Sequence, residues 1–170
     1  MAKKISLREF QEYLADRLTT AAHGKASLAL LGVQTGNDHW LLNLSDSGEI
    51  VPLPQLTPVP LTKKWFSGIA NIRGNLYSVA DFSALRGGEA TPMNASSRLL
   101  LIGTKHGSNA ALLVTRMLGL KNPDQFSPAP AAANAHAWES ERVVDANGQE
   151  WKKLNVRALL ADPDFMEIGA

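Results

Sequence analysis

Hydrophobic positions along this chain follow two different periods. Near the N-terminus Leu7, Phe10, Leu14, Leu18 and Ala21 recur at helical spacing, and Glu9, Glu12, Asp16 and Arg17 lie mostly off that stripe. Ser6 can cap the first turn, Glu9 stands three residues on as a capping box requires, and Ile5 and Phe10 occupy staple positions. Gly24 can adopt the left-handed conformation that ends a helix. The pattern predicts one amphipathic helix over 6–22, whose apolar face needs cover from the protein's own body, a partner or a second copy.

From Ser27 onward the period shortens. "SLALLGVQT", "HWLLNLS" and "EIVPL" are strand-length apolar segments separated by the turn signals "GND" and "DSGE". Pro52, Pro54, Pro58 and Pro60 exclude a regular helix across 51–60 and suit an extended surface segment or edge pairing. "TKKWFSGI" has room for one helical turn before Gly68, and two strands follow, roughly 69–72 and 76–80, joined across "RGN". "SRLLLIGT", the turn "KHGSN" and "AALLVTRML" repeat the same grain. "SPAPAAANAHAWES" reads as a surface loop with room for a short helical piece. "ERVV", the hairpin signal "DANGQ" and "EWKKLNV" come next, and "VRALLADPDF" predicts a short last helix ending near Pro163. Nine or ten short strands without repeated helical crossovers favour small β-barrels over a parallel sheet.

Composition narrows the function classes. The 17 basic and 16 acidic residues are interspersed and leave a net charge of +1, so no basic tract points to nucleic acid or a bare membrane surface. The chain has no cysteine, which excludes disulfides and thiol chemistry and suits a reducing cytosol. The polar start "MAKKISLREFQEYLADRL" lacks the apolar run of a signal peptide, and the longest apolar runs, "LLLI" and "AALLV", are strand-sized rather than membrane-spanning. A cytoplasmic protein is expected, with no direct membrane insertion.

Little in the chain suggests a reactive centre. His23, His39, His106 and His136 lack the close pairing of a zinc site, and Asp162 and Asp164 flank a proline at a helix end as solvated carboxylates do. "GTKHGSNA" has the wrong spacing for a phosphate-binding loop, and no nucleophile elbow occurs. No cofactor is implied. Two other classes stay open at this point. A small barrel could bind single-stranded nucleic acid through "KKWF" with Arg73 and Tyr77, and an enzyme could carry a dispersed triad.

The most informative stretch is "WFSGIANIRGNLYSVADFSALRG", residues 65–87. Its apolar positions predict a tight hairpin in which Gly68 permits close backbone approach, Gly74 takes a positive φ and Arg73 is presented near the tip. This stretch resembles the Gly-x-x-Asn-x-Arg-Gly-x-x-x-x-Val-x-Asp-Leu signature of the CheW-like chemotaxis coupling proteins. Gly68, Asn71, Arg73, Gly74, Val79 and Asp81 match it, and Phe82 replaces the leucine. The likeness extends over roughly Leu28 to Phe165. It takes in "GEIVPLPQLTPVPLTKKWFSG", "RLLLIGTKHGSNAALLVTRMLGL", "FSPAP" and "DANGQEWKKLNVRALL". Within the family the wording is most similar to the branch serving chemosensory systems that control type IV pili and twitching motility.

The resemblance implies a mainly β protein of two packed five-stranded SH3-like β-barrels, here with an extra N-terminal α-helix. It divides the chain into the helix (1–25), the CheW-like domain (26–165) and a tail (166–170). It also implies a non-catalytic scaffold between the cytoplasmic tip of a methyl-accepting chemoreceptor and the regulatory domain of a CheA-type histidine kinase, recruited to membrane-associated receptor arrays. Arg73, Gly68, Glu49 and Ser47 align with protein-binding positions, and Gly74, Asn71 and Asp81 with structural ones. Thr115 and Asn155 stand where the family commonly has aspartate.

Overall fold

The structure, a computed structural model, describes residues 29–102, 109–130, 136–139 and 141–169, together with Arg8 and Gln11. The helix expected over 6–22 lies outside the described residues apart from Arg8 and Gln11, both helical and exposed. Eleven strands are described: β1 (Leu30–Thr35), β2 (Asp38–Asn43), β3 (Ser47–Pro52), β4 (Phe66–Ile72), β5 (Asn75–Asp81), β6 (Arg98–Ile102), β7 (Ala110–Val114), β8 (Arg116–Lys121), β9 (Phe126–Ala129), β10 (Glu141–Asp145) and β11 (Glu150–Lys153). Three short helices accompany them: α1 (Phe82–Leu85), α2 (Val156–Ala161) and α3 (Pro163–Met166).

The strands form two open sheets, not the two closed five-stranded barrels expected. One has six strands in the order β8-β1-β2-β11-β10-β9, and the other five in the order β3-β6-β7-β5-β4. Each is mixed, because β11 runs parallel to β2 and β5 parallel to β7. Proline explains why the edges stay open. β3 ends at Pro52 and leads into a segment holding Pro54, Pro58 and Pro60, and β9 carries Pro128. None of these can donate to a closing ladder. The proline segment instead touches the free edge of β4 at one bridge, where Thr57 and Ile69 exchange both backbone hydrogen bonds at 2.9 Å. The helical content also differs from a single N-terminal helix, since α1 follows β5 and α2 and α3 follow β11.

Burial accounts for the curl of the sheets. In β6 and β7 successive side chains enter different clusters. Leu100, Ile102, Leu112 and Val114 join Leu31, Val33, Trp40 and Phe82 in the core between the sheets. Leu99, Leu101, Ala111 and Leu113 join Ala70, Tyr77 and Val79 on the other face. A smaller cluster of Leu30, Leu41 and Trp151 fills the corresponding side of the six-stranded sheet. The apolar run "AALLVTRML" becomes two strands instead of one. The chain bends at Thr115, whose N–H donates to Gln34 O at 2.9 Å, and passes from one sheet to the other.

Short polar side chains close the turns. Asp81, 4% exposed, caps α1 by accepting from Ala84 N–H at 3.3 Å and also accepts from the N–H and hydroxyl of Thr91 at 2.7 and 2.6 Å. Asn155 caps α2 through Ala158 N–H at 3.0 Å, and Asp162 caps α3 while accepting from Trp138 Nε1 at 2.9 Å. At the last hairpin Asp145 accepts from Trp151 Nε1 at 3.0 Å and from the N–H groups of Asn147 and Gln149 at 2.9 Å. An ion network missed in the sequence ties the sheets together. Arg86, just after α1, donates to Glu139 at 2.8 and 3.1 Å and to Asp38 of β2, with its guanidinium 4.8 Å from the Trp40 ring centroid.

Two expectations can be measured. Gly68 has φ +131°, and a Cβ there would sit 2.5 Å from Thr57 O, whereas Gly74 has φ +86° with open space around it. Gly68→Ala is therefore expected to cost about 3 kcal/mol and Gly74→Ala about 1 kcal/mol in chemical denaturation, the difference being the displaced proline segment. The second concerns Asp145, whose carboxyl is held below the usual range chiefly by the Trp151 hydrogen bond, with backbone donors adding to it. A depressed pKa contributes stability that is full above the unfolded value and is lost as pH falls through the folded one. Asp145→Asn should thus melt below wild type at pH 7, and the gap should close as pH drops below about 4.

Candidate protein-binding surface

The hairpin of β4 and β5 turns in two residues, Arg73 at φ +52° and Gly74 at φ +86°, the paired positive angles of the turn that matches strand twist. Arginine is an unusual occupant of the left-handed region. Asn71 stabilises the turn: its Oδ1 accepts from Gly74 N–H at 2.9 Å. The Asn-x-Arg-Gly pattern is therefore a device that fixes the backbone beneath Arg73.

That side chain, 68% exposed, forms an ion pair with Glu49. The pairing is informative because β3 and β4 are opposite edges of the five-stranded sheet. Curling brings the hairpin tip across to β3, and an ion pair spans the seam that a barrel would close with a ladder. Glu49 reaches this position from a bulge. The β3–β6 register shifts between Ser47 and Ile50, and Gly48 in the bulge lies so near Leu101 that a Cβ would sit 3.1 Å from its carbonyl oxygen. Ser47 opens the same bulge, with its hydroxyl donating to Gly48 O at 3.2 Å. Three of the expected binding residues, Ser47, Glu49 and Arg73, thus belong to one seam.

Gly68 does not join them. It is buried in β4 beneath Thr57, so its effect on any partner would run through the proline segment. Gly74 and Asn71 build the turn, and Asp81 holds α1 and Thr91. Sequence reasoning did not single out Leu76, 60% exposed beside the hairpin tip, or Leu61, 86% exposed at φ +59°.

The remaining candidates are taken up by packing. Phe66 is buried and Trp65 stacks on Phe165 at 5.7 Å, so "KKWF" offers no free aromatic platform for bases. His39 packs edge-on against Trp151, and His136 stacks on Trp138. His23 and His106 lie outside the described residues. Among the described residues no group of three or more His, Cys, Asp or Glu could hold a metal ion, and no helix is long and apolar enough to cross a membrane. Thr115 accepts from Gly36 N–H at 3.0 Å and Asn155 caps α2, so both supply the local hydrogen bonding that a short acidic side chain would.

The chain is 25% identical over 159 residues to Protein PilI of Pseudomonas aeruginosa, covering 92% of this chain and 88% of that protein. It superposes on the crystal structure of the scaffolding protein TtCheW from Thermoanaerobacter tengcongensis with a TM-score of 0.64 at 18% identity, covering 76% of this chain and 89% of that one. The CheW-like domain family itself matches residues 29–164, a span that begins one residue before β1 and ends inside α3. Both sheets and the Asn71-locked hairpin fall within that span, and the chain belongs to the CheW-like domain family.

Proposed function

We propose that this protein is a non-catalytic cytoplasmic scaffold that couples the cytoplasmic tip of a methyl-accepting chemoreceptor to the regulatory domain of a CheA-type histidine kinase. The system it serves is the one controlling type IV pili and twitching motility, a reading favoured by the likeness to PilI along most of both chains. The observation that carries the proposal is the Arg73 seam. A guanidinium on a two-residue turn, locked by Asn71 and paired with Glu49, stands beside the exposed Leu76. A rigid arginine next to apolar surface is the composition of an interface anchor. Weak contacts of this kind gain strength when many copies are held in an array at the membrane.

An exposed ion pair contributes little to stability, about 0–1 kcal/mol. Arg73→Ala should therefore leave the melting transition nearly unchanged while weakening binding to receptor-tip fragments about tenfold or more by calorimetry. The exchange Arg73→Glu with Glu49→Arg should restore the pair but not the binding. Unchanged affinity in Arg73→Ala, together with unchanged co-purification of the kinase, would remove Arg73 from the contact.

A further inference from the structure

We propose that Asn147, at the tip of the β10–β11 hairpin, is a site of spontaneous deamidation, and that the reaction loosens this hairpin. Asparagine is followed by glycine at this one place in the chain. The reaction requires the backbone nitrogen of the next residue to reach the asparagine side-chain carbonyl carbon, and glycine puts no Cβ in the way. At Gly148 φ is +81°, and no heavy atom beyond its chain neighbours lies within 4 Å of where a Cβ would stand. Asn147 is exposed, and its carboxamide makes no hydrogen bond among the described residues. Other asparagines are tied and shielded. Asn71 accepts from Gly74 N–H, Asn122 and Asn155 cap helical turns, and the residues that follow them are isoleucine, proline and valine.

The chemistry needs water alone. The Gly148 nitrogen bonds to Asn147 Cγ, the Cγ–Nδ2 bond breaks, and ammonia leaves with the proton of the Gly148 N–H. Water then opens the cyclic imide. Addition at Cγ restores the main chain and leaves aspartate at 147. Addition at the main-chain carbonyl leaves isoaspartate, with the chain running through the side-chain methylene. Asp145 sets the pace. Its main-chain oxygen accepts from Gly148 N–H at 3.1 Å, which engages the nucleophile, and its Oδ1 accepts from Asn147 and Gln149 N–H at 2.9 Å. The turn must open locally before attack, so the rate follows the strength of this clasp. The clasp also feels the product. Either product puts a carboxylate on the residue whose N–H the Asp145 carboxylate holds, and like charges so placed repel. Isoaspartate further lengthens the main chain between Asp145 and Gln149, where Asp145 N–H donates to Gln149 O at 3.0 Å. Strand β11, which follows, carries the buried Trp151 and the parallel pairing to β2.

The test is peptide mapping by mass spectrometry after the full chain has stood for weeks in mildly alkaline buffer. The tryptic peptide 143–152 should gain about 1 Da, and peptides carrying the other asparagines far less. Gly148→Ala, which has room for its Cβ, should slow the gain about tenfold. Asp145→Ala, which removes the clasping carboxylate, should quicken it about fivefold. The isoaspartyl fraction, separated by anion exchange, should melt below fresh protein. The proposal is overturned by a gain spread evenly over the asparagine peptides, by an equal rate in Gly148→Ala, by an unchanged or slower rate in Asp145→Ala, or by isoaspartyl protein that melts with fresh protein.

Discussion

β6 and β7 present no face to water. Leu100, Ile102, Leu112 and Val114 require cover on one side, and Leu99, Leu101, Ala111 and Leu113 require it on the other. Burying a leucine side chain stabilises by about 1.5–3 kcal/mol, so neither face can be left open without losing a large share of the stability of a domain this size. The six-stranded sheet covers one side. Among the described residues the other side is covered by the five-stranded sheet's own outer strands and the proline segment, with Val51, Leu53, Leu56 and Ile72 packed over the cluster. Curling follows from that demand, and the meeting of the hairpin tip with β3 follows from the curl.

The Arg73–Glu49 pair is thus a by-product of core packing that has been placed at a surface. The bulge at Gly48 and the left-handed turn at Arg73 are both local departures from regular strand geometry, and both lie at the seam. Such departures concentrate where a side chain must be aimed. Arg86 plays a different part. Drawn in between Glu139 and Asp38 and over Trp40, it is spent on holding the sheets together. Two arginines thirteen residues apart in sequence differ in role because one has the buried Glu139 within reach and the other pairs with the exposed Glu49.

Features set by neighbouring residues were legible in the sequence. "NIRGN" specified its turn, and "VRALLADPDF" a helix that stops just before Pro163. What depended on distant parts of the chain was not. The continuous apolar run 110–114 looks the same whether a strand is buried on one face or two. The break at Thr115 is set by Gln34 and Gly36, which lie some eighty positions earlier. The openness of the sheets could not be read from strand lengths. It follows from which edge each proline occupies. Glu139 was hidden because it lies in a segment rich in proline and alanine that reads as loop, and its partner Arg86 is fifty-three residues away.

The connectivity of the two sheets has a mechanical consequence. The five-stranded sheet is one continuous stretch of chain, β3 to β7, inserted into the six-stranded sheet, which owns both β1–β2 and β8–β11. The backbone crosses between them twice, at Leu44–Asp46 and at Thr115. Two covalent tethers, with a shared aromatic and aliphatic core between them, resist a pull that would open the sheets more strongly than a single hinge would. A displacement imposed on one sheet is therefore transmitted to the other as a nearly rigid movement. Objects held at opposite ends of this molecule would share an orientation as well as a proximity.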